Sequence, residues 1–196
     1  MSGLSSGLVL GQRSCNQAEL DARARRIAGG LTALGVRPGD CIAILMRNDL
    51  PFIEVAYGAQ QIGTYAVPIN WHFKAEEIDY ILRDSGAKVL FGHADLLAPL
   101  AGLLPKGVTY IAVDTPPDVG EPYGIQPQAA TTVPGALDYE TWLAGQQPAE
   151  GAPTLSPLIM FYTSGTTGHP KGVRRPAPNA SQMVANERLR REVMGI

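Results

Sequence analysis

The stretch Cys-Ile-Ala-Ile-Leu-Met at residues 41–46 is apolar throughout. A run this short and this apolar is typical of a strand that is buried on both faces of a parallel sheet. Before it, apolar residues recur at helical spacing over residues 19–34, and Gly35 supplies a C-terminal stop. After it, Asp49 can cap a second helix that extends to about Ile62. The stretch therefore predicts a buried parallel strand between two helices.

The same alternation continues along the chain. Predicted strands cover residues 65–69, 89–91 and 109–113, and predicted helices cover residues 75–84 and 94–104. Strands and helices that alternate at this spacing are typical of βαβ units. We therefore expect an α/β fold with a largely parallel sheet flanked by helices.

Residues 114–157 interrupt the alternation. They hold eight of the sixteen prolines, and only residues 137–143 have a pattern compatible with a helix. The sequence therefore predicts three parts. Residues 1–113 form an N-terminal α/β region, residues 114–157 form a Pro/Gly-rich linker or excursion, and residues 158–196 hold a strand, a loop and the start of a truncated next subdomain.

The composition favours a packed protein of the cytoplasm. Hydrophobic residues make up 45% of the chain, and the formal net charge is -2. This charge provides no global basic field, so we expect no nucleic-acid partner. Cys15 and Cys41 are too few for a disulfide framework, which suits a reducing compartment. No apolar stretch has the length that an integral membrane contact requires.

A loop rich in glycine and hydroxyl groups follows a predicted strand at residues 158–162. The sequence over residues 162–173 is Tyr-Thr-Ser-Gly-Thr-Thr-Gly-His-Pro-Lys-Gly-Val. Glycines let backbone amides approach an anion closely, hydroxyls add rotatable donors, and a lysine supplies positive charge. A flexible polar hairpin turn has a similar composition. The lysine behind a proline at the end of the loop favours a polyphosphate ligand over that alternative.

The loop is not of the Walker type. A Walker loop places its lysine directly before a Ser or Thr that holds magnesium. Here Pro170 precedes Lys171 and Gly172 follows it. Two further prolines delay the next predicted helix, at residues 179–194, so the positive end of that helix does not lie directly under the phosphates. The sequence therefore predicts a different kind of phosphate loop.

Residues 162–173 closely resemble the signature loop of the adenylate-forming, or AMP-binding, superfamily. Segments at residues 18–40, 63–70 and 75–86 are similar to the N-terminal region of the same family. The pieces Pro-Ile-Asn at 68–70 and Lys-Gly-Val-Arg-Arg at 171–175 look most like bacterial acyl-CoA synthetases. The resemblance covers nearly the whole chain and implies the N-terminal part of the large domain of such an enzyme.

The resemblance implies a two-step reaction that uses ATP, Mg²⁺ and coenzyme A (CoA). A small-molecule carboxylic acid attacks the α-phosphate of ATP to give an acyl-adenylate and pyrophosphate, and CoA then displaces AMP. Lys171 is the implied catalytic residue, because it would stabilise charge on the departing pyrophosphate. The implied nucleotide-binding residues are Thr163, Ser164, Gly165, Thr166, Thr167, Gly168 and Lys171. No metal ligand is assigned within the chain.

The resemblance also implies that the site is incomplete. In the family, the motifs for adenine, ribose, the magnesium ligand and a C-terminal lysine lie downstream of the loop, whereas after Gly172 only Glu187 and Glu192 are acidic. We therefore expect this chain alone to be inactive and to associate with a missing C-terminal part or with a second copy. Two alternatives stay open: an adenylate-forming enzyme that does not use CoA, and a catalytically inert fragment.

Polar residues outside the loop are interpreted as structural. His72 and His93 lack metal-ligand spacing and are predicted to be hydrogen-bonded or exposed. Short arginine-rich runs at 23–26 and 188–191 are predicted to be solvated helix faces. Trp71 is predicted to be a packing residue rather than a platform for a base.

Overall fold

The computed structural model describes residues 7–125, 132–151, 159–163, 170–174 and 180–189. The strands in these ranges are β1 Gly7–Leu10, β2 Arg13–Asn16, β3 Cys41–Leu45, β4 Tyr65–Pro68, β5 Ala87–His93, β6 Thr109–Val113, β7 Leu137–Asp138, β8 Phe161–Thr163 and β9 Lys171–Val173. The α-helices are α1 Gln17–Ala33, α2 Leu50–Gln61, α3 Ala75–Ser85, α4 Ala94–Leu97, α5 Pro117–Gly120, α6 Tyr139–Ala144 and α7 Ala180–Leu189.

Strands β4-β3-β5-β6-β7, in that spatial order, form a parallel sheet in the described part of the chain. β3 pairs with β4 on one side and with β5 on the other. The chain therefore crosses over β3 between β4 and β5, which places a topological switch point between β3 and β5. The predicted α/β fold with a largely parallel sheet is confirmed.

Strand β3 is buried on both faces because helices cover both sides of the sheet. Alternate residues point to opposite faces of a strand. One set packs with α1, α2 and α6, and it consists of Ile42, Ile44 and Met46. The other set packs with α3 and α4, and it consists of Cys41, Ala43 and Leu45. Burying a large aliphatic side chain in this way contributes roughly 1.5–3 kcal/mol, so the apolar stretch at 41–46 is the centre of the fold.

The ends of the main helices follow from their local sequence. Asn16 and Glu19 form a capping box at the start of α1, with bonds of 3.0 and 2.9 Å. Asp49 caps α2 as predicted, since its carboxylate accepts a hydrogen bond of 2.7 Å from the amide of Leu50. Gly86 ends α3 with a φ of 64°, a left-handed conformation that favours glycine.

The helix predicted over residues 94–104 is shorter in the structure. α4 ends at Leu97, and a 3₁₀ turn follows over Ala98–Leu100. Pro99 has no amide hydrogen to continue the α-helical ladder, and Gly102 has a φ of 80°. The proline therefore explains why apolar spacing alone overestimated this helix.

Part of the Pro/Gly-rich segment belongs to the sheet and the core. Strand β7 pairs in parallel with β6, and α6 places Tyr139, Trp142 and Leu143 in the core. The ring of Trp142 lies so close to Gly30 of α1 that a side chain at that position would collide with it. The division of the chain at residues 113 and 157 stays a prediction.

Arg23 is not part of a solvated helix face, so that prediction is wrong for this residue. Its Nε lies 2.8 Å from Glu54 Oε2, and its Nη2 lies 2.6 Å from Glu140 Oε1. The hydroxyl of Tyr139 donates a hydrogen bond of 2.6 Å to the same Glu54. Burial, and then the carboxylate of Glu54, raise the pKa of Tyr139 well above its ordinary value. The partners lie on α2 and α6, which a pattern read along α1 cannot indicate.

Candidate functional site

The loop with the phosphate signature joins the two strands of an antiparallel hairpin, β8–β9. The Cα partners are Phe161 with Val173, Tyr162 with Gly172, and Thr163 with Lys171. The hairpin meets the edge of the sheet at β4, where the amide of Met160 donates a hydrogen bond of 2.9 Å to the carbonyl of Ala66. The described strand is shifted towards the loop relative to the prediction at residues 158–162, whose first residue lies outside the described ranges.

Gly172 allows the hairpin to pack closely. A Cβ at this position would lie 2.8 Å from Cζ of Tyr162 and would also collide with the methyl group of Met160. The ring of Tyr162 therefore covers the space that a side chain would need. Glycine opposite an aromatic residue is a known way of keeping a strand pair compact, so this glycine has a packing role beside any role in anion binding.

The structure brings together two of the predicted site residues. Thr163 and Lys171 are direct cross-strand partners at the loop end of the hairpin, and both are exposed. Directly opposed residues have neighbouring side chains on one face. Their hydroxyl and ammonium groups are hydrogen-bond donors that suit phosphate oxygens. The other predicted residues lie outside the described ranges and stay predictions: Ser164, Gly165, Thr166, Thr167 and Gly168.

Lys171 has no ion-pair partner among the described carboxylates, unlike Lys88. The Nζ of Lys88 lies 2.6 Å from Asp40 Oδ2, which neutralises its charge within the fold. Among the ion pairs of the described residues, none includes Lys171. Within the described residues, no carboxylate therefore neutralises the charge of Lys171.

A second set of polar residues lies at the carboxyl ends of the sheet strands. Its residues lie at or shortly after the last residues of β3, β5 and β6, and one further residue comes from β2. We name Arg13, Arg47, Asp49, His93, Asp95 and Thr115 the carboxyl-edge cluster. Open α/β sheets usually bind ligands at this edge, near the switch point, so the cluster has to be compared with the hairpin as a candidate site.

Asp49 and His93 form the buried centre of the carboxyl-edge cluster. The Nδ1 of His93 accepts a hydrogen bond of 3.2 Å from the amide of Arg47, so the ring proton is on Nε2. That nitrogen donates to Asp49 Oδ2 over 3.2 Å, and Arg13 lies 2.7 Å from Asp49 Oδ1. Burial would raise the pKa of Asp49, but the hydrogen bonds from His93 and Arg13 outweigh it and the pKa is lowered. The prediction that His93 is hydrogen-bonded is confirmed.

Arg47 is held by a carboxylate and two aromatic rings. Its guanidinium forms two hydrogen bonds with Asp95, of 3.0 and 2.9 Å, and its Cζ lies 5.0 Å from the ring centres of both Trp71 and Tyr123. Thr115 donates a further hydrogen bond to Asp95. Burial would raise the pKa of Asp95, and the bonds from Arg47 and Thr115 lower it. The cluster is thus largely paired internally, and Trp71 is a packing residue as predicted.

Sequence reasoning missed the carboxyl-edge cluster. Arg47, Asp49 and Asp95 carry no motif, and their partners are more than forty residues away in several cases. The one available signal was position, because each of them lies within about four residues after the end of a predicted strand. In the described ranges, no three His, Cys, Asp or Glu residues are grouped so that they could hold a metal ion. No described helix combines the length and the apolar character that crossing a membrane requires.

Comparisons with known proteins agree with the hairpin signature. The pattern of the family described as AMP-binding enzyme matches residues 8–194. The long-chain-fatty-acid–CoA ligase FadD13 of Mycobacterium tuberculosis is 39% identical over 80% of this chain and 28% of its own length. The fatty acid–[acyl-carrier-protein] ligase ScoC of Streptomyces coeruleorubidus is 32% identical over 82% of this chain and 28% of its own length.

A solved structure has the same fold. The anthranilate CoA ligase AuaEII, in complex with anthranoyl-AMP, superposes with a TM-score of 0.65 at 28% identity. The match covers 85% of this chain and 30% of that one. This chain therefore spans less than a third of the length of these three relatives.

Proposed function

Because this chain belongs to the AMP-binding enzyme family, we propose that it is the N-terminal part of an ATP-dependent, AMP-forming acyl-CoA synthetase. The complete protein would convert a small carboxylic acid, ATP and CoA to acyl-CoA, AMP and pyrophosphate. The observation that carries this proposal is the pair of Thr163 and Lys171 at the loop end of the hairpin. The relationship to a fatty acid CoA ligase at 39% identity supports it.

The proposed chemistry starts with a carboxylate oxygen that attacks the α-phosphorus of ATP. The bond to the bridging oxygen breaks, and pyrophosphate leaves with the bonding electrons. Lys171 and the hydroxyl of Thr163 would bind the β- and γ-phosphate oxygens, where negative charge increases as this bond breaks. In the second step the sulfur of CoA attacks the acyl carbon and AMP leaves. Neither step requires covalent chemistry from Thr163 or Lys171.

In this proposal the protein ligands of Mg²⁺ lie outside the described residues. A hydroxyl and an ammonium group suit phosphate oxygens, whereas Mg²⁺ prefers carboxylate oxygens and water. When bound, the ion would neutralise phosphate charge. The proposal therefore assigns its acidic ligand, with the adenine, ribose and most CoA contacts, to parts of the enzyme outside this chain. The cytoplasm stays the predicted compartment.

Acid-dependent exchange of pyrophosphate into ATP tests the first step. We expect the complete protein that contains this chain to catalyse exchange with at least one member of a panel of fatty and aromatic acids. The 196-residue chain, with its intact mass verified, is the matched comparison and should catalyse none. Failure of every acid with the folded complete protein would refute the proposal. Robust exchange by the short chain would refute the expectation that its site is incomplete.

The acceptor in the second step separates the proposal from its alternative. The similarity to an acyl-carrier-protein ligase at 32% identity supports an adenylate-forming enzyme that does not use CoA. Supplying the pre-formed acyl-adenylate with either CoA or a phosphopantetheinylated carrier protein distinguishes the two. We expect acyl-CoA to form. Acyl transfer to the carrier protein alone would favour the alternative. A natural product whose intact mass ends at Ile196, and which is inert in both steps, would favour a catalytically inert fragment.

The proposal includes association of the short chain with a missing C-terminal part or with a second copy. The hairpin supports it, because Phe161 and Val173 are 58% and 47% exposed and are cross-strand partners. Adjacent exposed apolar side chains mark surfaces that other protein covers. Sedimentation velocity of the short chain at several concentrations would detect self-association.

A further inference from the structure

The β8–β9 hairpin has only three residues in each strand. An isolated hairpin is at best marginally stable in water, so contacts with the rest of the fold have to hold it in place. Besides the backbone bond and buried side chain of Met160 and the packing of Gly172, two polar side chains of the described residues make such contacts. They are Tyr162, next to Thr163, and Arg174, which follows β9.

Tyr162 connects β8 to the end of α3. Its hydroxyl donates a hydrogen bond of 2.6 Å to Asp84 Oδ2, across 78 positions of sequence. Asp84 is the penultimate residue of α3 and lies three residues before the start of β5. Burial, and then the hydrogen bond and charge of Asp84, raise the pKa of Tyr162. The phenol therefore remains a donor throughout the physiological pH range.

Arg174 connects the end of β9 to the amino ends of three sheet strands. Its Cζ lies 5.2 Å from the ring centre of Tyr65, the first residue of β4. Its Nη2 lies 3.3 Å from the sulfur of Cys41, the first residue of β3, and 3.5 Å from the carbonyl oxygen of Ser85, just before β5. A planar guanidinium can stack and donate in this way, which a lysine ammonium cannot reproduce.

We propose that Tyr162 and Arg174 are positioning residues that fix both strands of the phosphate-loop hairpin to the amino edge of the sheet. Tyr162 fixes β8 beside Thr163, and Arg174 fixes β9 three residues after Lys171. The cross-strand pair is thereby presented to the phosphates in one geometry. Rates of phosphoryl transfer depend strongly on positioning, so small displacements of this pair would be costly. This inference rests on the proposed function.

Opening of the hairpin can be measured on the 196-residue chain with a protease that cleaves after lysine. The chain contains four lysines, Lys74, Lys88, Lys106 and Lys171, so cleavage at Lys171 and cleavage at the exposed Lys106 are resolved in the same molecule. Under conditions where cleavage follows the population of opened molecules, Tyr162→Phe and Arg174→Gln should each accelerate cleavage after Lys171 about fivefold. Cleavage after Lys106 should not change.

Matched variants separate the hydrogen bond from general effects. Tyr57→Phe removes the same atom from a tyrosine whose hydroxyl has no hydrogen bond to a described residue, and it should leave both cleavage rates unchanged. Asp84→Ala should accelerate cleavage after Lys171 as Tyr162→Phe does. The double variant should be no faster than either single variant, because both remove the same bond. Additive acceleration, or no acceleration in Tyr162→Phe, would overturn the proposal.

Pyrophosphate exchange by the complete protein tests whether Tyr162 affects ATP binding. Tyr162→Phe should raise the KM for ATP about fivefold, with an unchanged melting temperature and an unchanged KM for the acid. Faster cleavage without a change in the KM for ATP would reduce Tyr162 to a structural residue and overturn the positioning role. A folded wild-type protein without exchange for any acid would refute the proposed function and, with it, this role. If Tyr162→Phe does not accelerate cleavage after Lys171 while the wild-type complete protein is active, the positioning role alone is refuted.

Discussion

The carboxyl-edge cluster and the β8–β9 hairpin differ in how their charges are used. In the cluster, Arg47 is bound to Asp95 and Asp49 is bound to His93, and all four side chains are largely buried. In the hairpin, Lys171 is exposed and has no carboxylate partner among the described residues. The cluster has more ionisable groups, but they neutralise one another. A dense set of charges at the favoured edge of a sheet is thus weaker evidence for a ligand than one available cation in a specific loop.

Removing Arg47 should have the largest effect on stability. Arg47→Ala leaves Asp95 without its bidentate partner and removes the contacts with Trp71 and Tyr123. We expect the free energy of unfolding to fall by about 3–5 kcal/mol, the cost of breaking a buried ion pair on one side. Urea unfolding of the 196-residue chain measures it. A loss below about 1 kcal/mol would show that the Arg47–Asp95 pair stabilises the fold no more than a surface ion pair does. The cluster would then not differ from the hairpin in having charges that stabilise the fold.

Removing Lys171 should affect catalysis rather than stability. Lys171→Ala in the complete protein should lower kcat/KM for ATP tenfold to a hundredfold, or roughly 1.4–2.7 kcal/mol, through the loss of one charge-assisted contact. Its free energy of unfolding should change by less than about 0.5 kcal/mol, because the side chain is exposed. Lys106→Ala, at another exposed lysine, is the matched control and should change neither quantity. An unchanged kcat/KM in Lys171→Ala would remove this lysine from the site.

The charge of Asp49 should make the stability of the cluster depend on pH. The pKa of Asp49 is lowered in the folded state from its ordinary value of 3.8. Its contribution is therefore fully present above that value and is lost as the pH falls through the folded pKa. Asp49→Asn keeps an N-cap residue and should cost about 2 kcal/mol at neutral pH through weaker hydrogen bonds.

The measurement is urea unfolding of the wild type and of Asp49→Asn at several pH values. The stability difference between them should be constant at neutral pH and should narrow as the pH is lowered below the ordinary pKa of an aspartate. Taking the difference cancels the contributions of Asp40 and Asp95, whose pKa values are also lowered. A difference that widens towards acidic pH would contradict the ionised state assigned to Asp49.

The smallest effect is expected on the outer face of the hairpin. Phe161→Ala should change the free energy of unfolding by less than about 0.5 kcal/mol, because Phe161 is 58% exposed. Met160→Ala, one residue earlier and only 4% exposed, should cost about 2–3 kcal/mol. The two variants together test whether the face with Met160 packs on the core while the face with Phe161 is exposed to solvent. Equal costs would mean that Phe161 is covered in solution.

Much of the fold was predictable from the sequence, whereas the roles of the hairpin residues stay predictions. The apolar stretch at 41–46, the cap at Asp49 and the pattern over residues 75–84 predicted β3, α2 and α3, and all three are confirmed. These features depend on neighbours within a few residues. The loop signature also predicted that Thr163 and Lys171 act together, and the structure pairs them.

The sequence by itself determined most of the helices and strands around the sheet, the burial of β3, and where the phosphate signature lies. Only the tertiary structure decided which charges are neutralised. The contacts of Arg23 with Glu54, Arg47 with Asp95, Arg174 with Cys41, and Tyr162 with Asp84 all join residues that are distant in sequence. Periodicity reports the environment of a residue along its own element, whereas an ion pair depends on the order and register of the strands that bring two elements together. The same arginine or tyrosine can therefore be a solvated residue or an anchor, and only the packed sheet distinguishes the two.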